Sequence, residues 1–212
     1  MTPTHAFEGT LIPFDRSNID TDAILPKQYL KMLDKTGYSP FLFDDERYLD
    51  PGDSEVPPAT RRKNPEFILN IPPYDQGSIL VARKNFGCGS SREHAVWAIR
   101  DYGIRAVIAE SFGEIFFNNC IRNGIAPILL QEQRINALFE LARYTPEARI
   151  QVDLARGVLV AEGDEIPLSL PDKLRQTLIE GRDDISDTLA IADTIKAYEA
   201  QRRKAEPWIF VG

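Results

Sequence analysis

Three apolar runs of strand length, Ile79 to Ala82, Ala106 to Ala109 and Ile125 to Leu130, alternate with two helical patterns, and this arrangement constrains the fold more than anything else in the chain. The first helical pattern covers about Ser91 to Tyr102 and is stopped by Gly103; the second covers Glu114 to Arg122 and is closed by Gly124. Parallel neighbours need a long connection, so strand-helix-strand-helix-strand implies a parallel central sheet with helical crossovers. The class is therefore α/β.

The flanks are read more coarsely. Arg134 to Arg143 places Ile135, Leu138, Phe139 and Ala142 on one helical face. Ile150 to Leu154 and Val158 to Ala161, joined around Arg156 and Gly157, have the pattern of a hairpin, and Ile166 to Leu168 adds a short strand. Two late helices are expected near Asp172 to Glu180 and Thr188 to Arg203. Residues 1 to 30 alternate short apolar pieces with polar turn formers, and 38 to 64 form an aromatic, acidic, proline-containing excursion without periodicity. At 212 residues the chain suits one domain, 1–212, with the excursion at about 38–64 and C-terminal helices at about 172–203.

Charge excludes some partners. With 25 basic and 32 acidic residues and a net charge of -7, the chain has no electrostatic footprint for nucleic acid or an anionic membrane. No run approaches the ~20 apolar residues of a membrane helix. The N-terminal residues lack the basic segment and apolar core of a secretory signal, and two cysteines make a poor disulfide framework, so a reducing cytoplasm is expected.

The chemistry-bearing stretch is Asn85 to His94, between the first strand and the first helix. Gly87 and Gly89 relax the turn, and Ser90, Ser91 and Arg92 arrive together at a helix N-terminus. Unpaired N–H groups and the helix dipole favour an anion there, and a guanidinium adds a bidentate grip on a carboxylate. Ser90 and Glu93 also have capping-box spacing, so plain capping stands beside the anion reading. A serine acts as a base only where a dipole and a nearby cation stabilise its deprotonated form, and Arg92 is that cation. His94 is read as packing or bonding locally rather than as an acid or base. The loop Asn18 to Asp22 carries two carboxylates flanking a threonine, which suits Asx turns, an arginine partner or, weakly, a metal. Cys88 lies in the glycine turn beside the helix start; Cys120 reads as a small core residue, and two thiols cannot hold an iron-sulfur cluster alone.

Asn18 to Pro26, Asn85 to Ala95, and Ser111 to Phe116 with Asn118 and Asn119, in this order, resemble the small subunit of 3-isopropylmalate dehydratase, the swivelling domain of the aconitase superfamily. The resemblance implies a swivelling β/β/α three-layer domain with additional antiparallel strands. It implies a hydro-lyase that isomerises 2-isopropylmalate to 3-isopropylmalate through isopropylmaleate in leucine biosynthesis. It also implies a large-subunit partner holding a 4Fe-4S cluster, with none bound by this chain, a dicarboxylate substrate, and no activity from this chain alone. By the same resemblance Ser90 is the base, Ser91 and Arg92 bind a substrate carboxylate, Asp22 organises the site, and Leu30, in the segment Pro26 to Met32, faces the isopropyl group. Relatives acting on methyl-substituted malates, citraconate or homoaconitate are the nearest rivals, and a non-catalytic anion-binding module is the rival from another class. Gly87 to Arg92 lacks the lysine and spacing of a nucleotide phosphate loop.

Overall fold

A computed structural model describes residues 3–182 and 184–210. The chain divides into two compact units, Met1–Gly181 and Arg182–Gly212.

The first unit is built on a mixed seven-stranded sheet. In chain order it contains β1 (Ala6–Phe14), the one-turn helices α1 (Thr21–Ile24) and α2 (Asp44–Arg47), β2 (Ile79–Ala82), α3 (Glu93–Tyr102), β3 (Ala106–Ala109) and α4 (Glu114–Arg122). There follow β4 (Ala126–Leu129), α5 (Glu132–Tyr144), the strands β5 (Arg149–Asp153), β6 (Val158–Ala161) and β7 (Asp164–Pro167), and α6 (Asp172–Glu180). The sheet order is β4-β3-β2-β1-β5-β6-β7. β1 to β4 are parallel, as the crossover pattern requires, and β5 to β7 continue the sheet as an antiparallel meander.

Alternation along the parallel strands divides the core in two. Ile12, Leu80, Ala82, Val107 and Ala109 join Ala95, Val96 and Ile99 of α3 on one face. Leu11, Ile79, Val81, Ala106 and Ile108 join Ile135, Leu138 and Phe139 of α5 on the other. Helices thus cover both faces of the parallel half, and every residue of β2 and β3 is buried.

Three features depart from the sequence reading. β1, read only as an apolar piece among turn formers, is a nine-residue strand in the middle of the sheet. Gly9 lets it approach the neighbouring chain, because a Cβ there would lie 2.1 Å from Ser78 Oγ. The excursion at 38–64 is irregular, with short 3₁₀ turns, yet it feeds the core: Tyr38, Leu42 and Phe43 are fully buried. Finally, α3 begins at Glu93 rather than near Ser91, because Arg92 is held extended at φ -122°, ψ 104°.

The second unit contains α7 (Asp184–Ala190), α8 (Ala192–Ala205) and a 3₁₀ turn at Pro207–Phe210, where the sequence pattern suggested one helix from about 188 to 203. Ile191 interrupts the run at φ -109°, ψ 16°. Among its described residues Ile185, Leu189, Ile191, Tyr198, Trp208 and Ile209 are exposed.

Candidate active site

Loops from the C-terminal ends of β1, β2 and β3 meet at one end of the parallel sheet, where ligands of open α/β sheets commonly bind. The exits of β1 and β2 run together beyond the strands: Arg83 N–H donates to Arg16 C=O at 3.0 Å and Asn18 N–H to Lys84 C=O at 2.9 Å. Asn18 and Asn85 both take positive φ, 58° and 62°, a conformation asparagine tolerates, and Asn85 Nδ2 donates to Asn18 Oδ1 at 2.8 Å. The β3 loop joins through Ser111, whose Oγ accepts from Asn85 N–H at 2.8 Å and whose C=O accepts from Phe86 N–H at 3.0 Å. Gly113 N–H then donates to Phe86 C=O at 2.9 Å.

This scaffold leaves room only for glycine at Gly87. Its φ is +70°, and a Cβ would lie 2.1 Å from Cγ of the Phe116 ring on α4. Gly87 N–H donates to Ile19 C=O at 2.7 Å, and Gly89 follows at φ +88°. The chain then delivers Ser90 and Ser91 exposed, with Arg92 partly buried beside them.

Capping does not explain these residues. The residue preceding α3 is Arg92, and no side chain caps this helix. Glu93, the other half of the expected capping box, accepts instead from Asn123 Nδ2 at 2.9 Å, which ties the start of α3 to the end of α4. Ser90 and Ser91 therefore stand in the loop ahead of the helix.

The acidic loop comes to the same place. Asp20 caps α1, accepting from Ala23 N–H at 2.7 Å, so its carboxylate serves an Asx-type role. Asp22, two residues on, projects outward and forms an ion pair with Arg92. Leu30 sits on the 3₁₀ turn Lys27–Lys31 after α1, half-buried against the core face that α3 covers.

Two titratable groups turn inward. His94 packs its ring against Trp97 at 4.5 Å and Tyr38 at 5.8 Å, and burial holds its pKa below the ordinary 6.5 despite the neighbouring Glu93. Cys120 is fully buried in α4 and burial pushes its thiol up, while Cys88 is half-buried in the turn. Among the described residues no group of three or more His, Cys, Asp or Glu side chains is arranged to hold a metal ion.

Exposed Ser90, Ser91 and Asp22 and partly buried Arg92, four positions singled out in the sequence, are thus gathered on loops anchored by buried Ile19, Thr21, Phe86 and Gly87. Sequence reasoning missed Thr21. Its hydroxyl donates to Ser90 C=O at 3.0 Å, and the only available signal was its place between Asp20 and Asp22.

Residues 1–133 match the model of the aconitase C-terminal domain, and 184–211 match that of the C-terminal domain of the 3-isopropylmalate dehydratase small subunit. The 3-isopropylmalate dehydratase small subunit of Delftia acidovorans is 52% identical over 203 residues, covering 95% of this chain and 94% of that protein. Its counterpart in Methylibium petroleiphilum is 50% identical over 210 residues, covering 99% and 97%. A crystal structure of 3-isopropylmalate dehydratase from Methanocaldococcus jannaschii superimposes with a TM-score of 0.60 at 27% identity, covering 92% of this chain and 99% of that one.

Proposed function

Because the chain belongs to the family of 3-isopropylmalate dehydratase small subunits, each part of a hydro-lyase of the aconitase superfamily, we propose that it is the proton-transfer and carboxylate-binding half of such an enzyme. A small subunit implies a large-subunit partner. With that partner it converts 2-isopropylmalate to 3-isopropylmalate through isopropylmaleate, in leucine biosynthesis. The 4Fe-4S cluster belongs to the large subunit in this reading, and this chain's share is to bind, orient and move a proton. A reducing cytoplasm suits its two free thiols.

The observation that carries the reading is the Arg92–Asp22 ion pair beside exposed Ser90 and Ser91. A guanidinium already neutralised by a carboxylate at an exposed site can exchange that partner for, or share it with, a substrate carboxylate. Ser91 adds a hydroxyl donor to the same anion. Arg92 and the N-terminal end of the α3 dipole stabilise negative charge on Ser90 Oγ, which takes the carbon-bound proton and returns it when water adds back at the neighbouring carbon. Asp22 keeps Arg92 aimed between turnovers. Leu30 offers an apolar contact to the isopropyl group.

Ser90→Ala in the enzyme reconstituted with its large subunit tests this. Turnover is expected to fall by at least ~10³-fold with KM changed by less than ~5-fold, since the carboxylate grip survives while the base is lost. Unchanged kcat would remove Ser90 from the chemical step and leave an anion-binding module.

A further inference from the structure

Thr21 makes two contacts that its place in α1 does not require. As the first helical residue its N–H has no partner within the helix, and it donates to Cys88 C=O at 3.0 Å. Its hydroxyl donates to Ser90 C=O, also at 3.0 Å. One side chain and its own backbone thus hold the carbonyls on either side of Gly89, the residue whose φ of +88° reverses the chain. The turn lies directly on α1, since a Cβ built on Gly89 would be 3.4 Å from Asp20 Cβ and 3.9 Å from Thr21 Oγ1.

The anchor is itself fixed. Thr21 is 1% exposed, and a β-branched side chain has few χ1 choices. Asp20 caps α1, Gly87 N–H is bonded to Ile19 C=O at 2.7 Å, and Asn85 is bonded to Asn18. Ser90 itself has no such support, because it is exposed and lies ahead of the helix rather than in it. Asp22 then takes Arg92, so the first two residues of α1 hold the chain at 88, 90 and 92.

We infer that Thr21 is the positioning residue for Ser90: its buried hydroxyl fixes the Ser90 carbonyl, and with it the direction of the Ser90 Cα–Cβ bond relative to Arg92. The inference rests on the reading of Ser90 as the base. Gly89 makes the turn possible but leaves it loose, because glycine allows many conformations. Thr21 supplies the constraint that glycine cannot. Losing it leaves the carboxylate grip in place and lets Ser90 Oγ wander, and a displacement near 1 Å at a reacting atom costs on the order of 10²-fold in rate.

The test compares Thr21→Val, which keeps shape and removes the hydroxyl, with Thr21→Ser, which keeps the hydroxyl. In the reconstituted two-chain enzyme Thr21→Val is expected to lower kcat by ~10- to 100-fold with KM within ~3-fold, and to enlarge the isotope effect for substrate deuterated at the carbon that loses the proton. Thr21→Ser is expected to restore kcat to within ~3-fold. In the full-length small subunit alone, amide exchange across residues 89–92 should quicken in the Val variant and not in the Ser variant. Wild-type kcat in Thr21→Val, or a loss that Thr21→Ser does not repair, overturns the inference. Ser90→Ala run alongside separates the two ideas: if it abolishes turnover while Thr21→Val behaves as wild type, only the positioning role fails, whereas if it retains turnover both fall.

Discussion

His94 is four residues from Ser90 in the chain, yet its ring is packed between Trp97 and Tyr38, and the consequence is a pH dependence of stability rather than of chemistry. Burial disfavours the imidazolium, Arg92 acts in the same direction, and Glu93 opposes them without prevailing. The folded pKa is therefore below 6.5, so the unfolded chain binds more protons as pH falls through that value. Stability present above pH 6.5 is lost progressively below it, down to the folded pKa. His94→Phe keeps a ring for Tyr38 and Trp97 but cannot take up the proton. Urea midpoints at pH 7.5 and 5.5 should fall further for the wild-type chain than for the variant; equal falls would place the acid sensitivity elsewhere.

At the scale of elements, the excursion between α1 and β2 is held by a buried ion pair. Arg61 donates to Asp44 through both Nη atoms, at 2.8 and 2.5 Å, and Tyr29 Oη donates to the same carboxylate at 2.7 Å. The side chains of Arg61 and Asp44 are 2% and 1% exposed, and the guanidinium lies 3.9 Å from the centre of the Tyr48 ring. Arg61→Met should cost about 3 to 5 kcal/mol in denaturant unfolding because it strands the Asp44 charge, whereas Asp44→Leu with Arg61→Met should recover most of that loss. This cluster was invisible in the sequence because the partners lie 17 positions apart across a stretch without periodicity. The parallel strands and their crossover helices were legible because a buried strand must be apolar throughout and a covering helix must be amphipathic. β1 was not, since Gly9 and Pro13 both argue against a central strand, and what permits them is the close approach of Ser78 and a position near the strand end. Of the site, the turn and its residues were legible from local spacing, while the grip of Thr21 on Ser90 joins positions 69 apart. Capping-box spacing was misleading at Ser90 because Asn123, an element away, claims Glu93.

For the whole molecule, both core clusters lie within Met1–Gly181, so that unit contains the hydrophobic burial needed to fold by itself. A chain ending at Gly181 should unfold cooperatively and show the blue-shifted emission of Trp97, which is 7% exposed, without the contribution of Trp208, which is 70% exposed. Red-shifted emission from the shortened chain would show that the first unit depends on the second. The sheet order also has a consequence for synthesis. β1 is the first strand to leave the ribosome, yet one of its edges is completed only by residues 79–82 and the other only by residues 149–153. At ordinary translation speeds that second edge waits on the order of ten seconds, with Leu11, Ile12 and Phe14 already emerged. During that interval the nascent chain carries an apolar strand with one edge open, available for pairing with its neighbour on the same messenger.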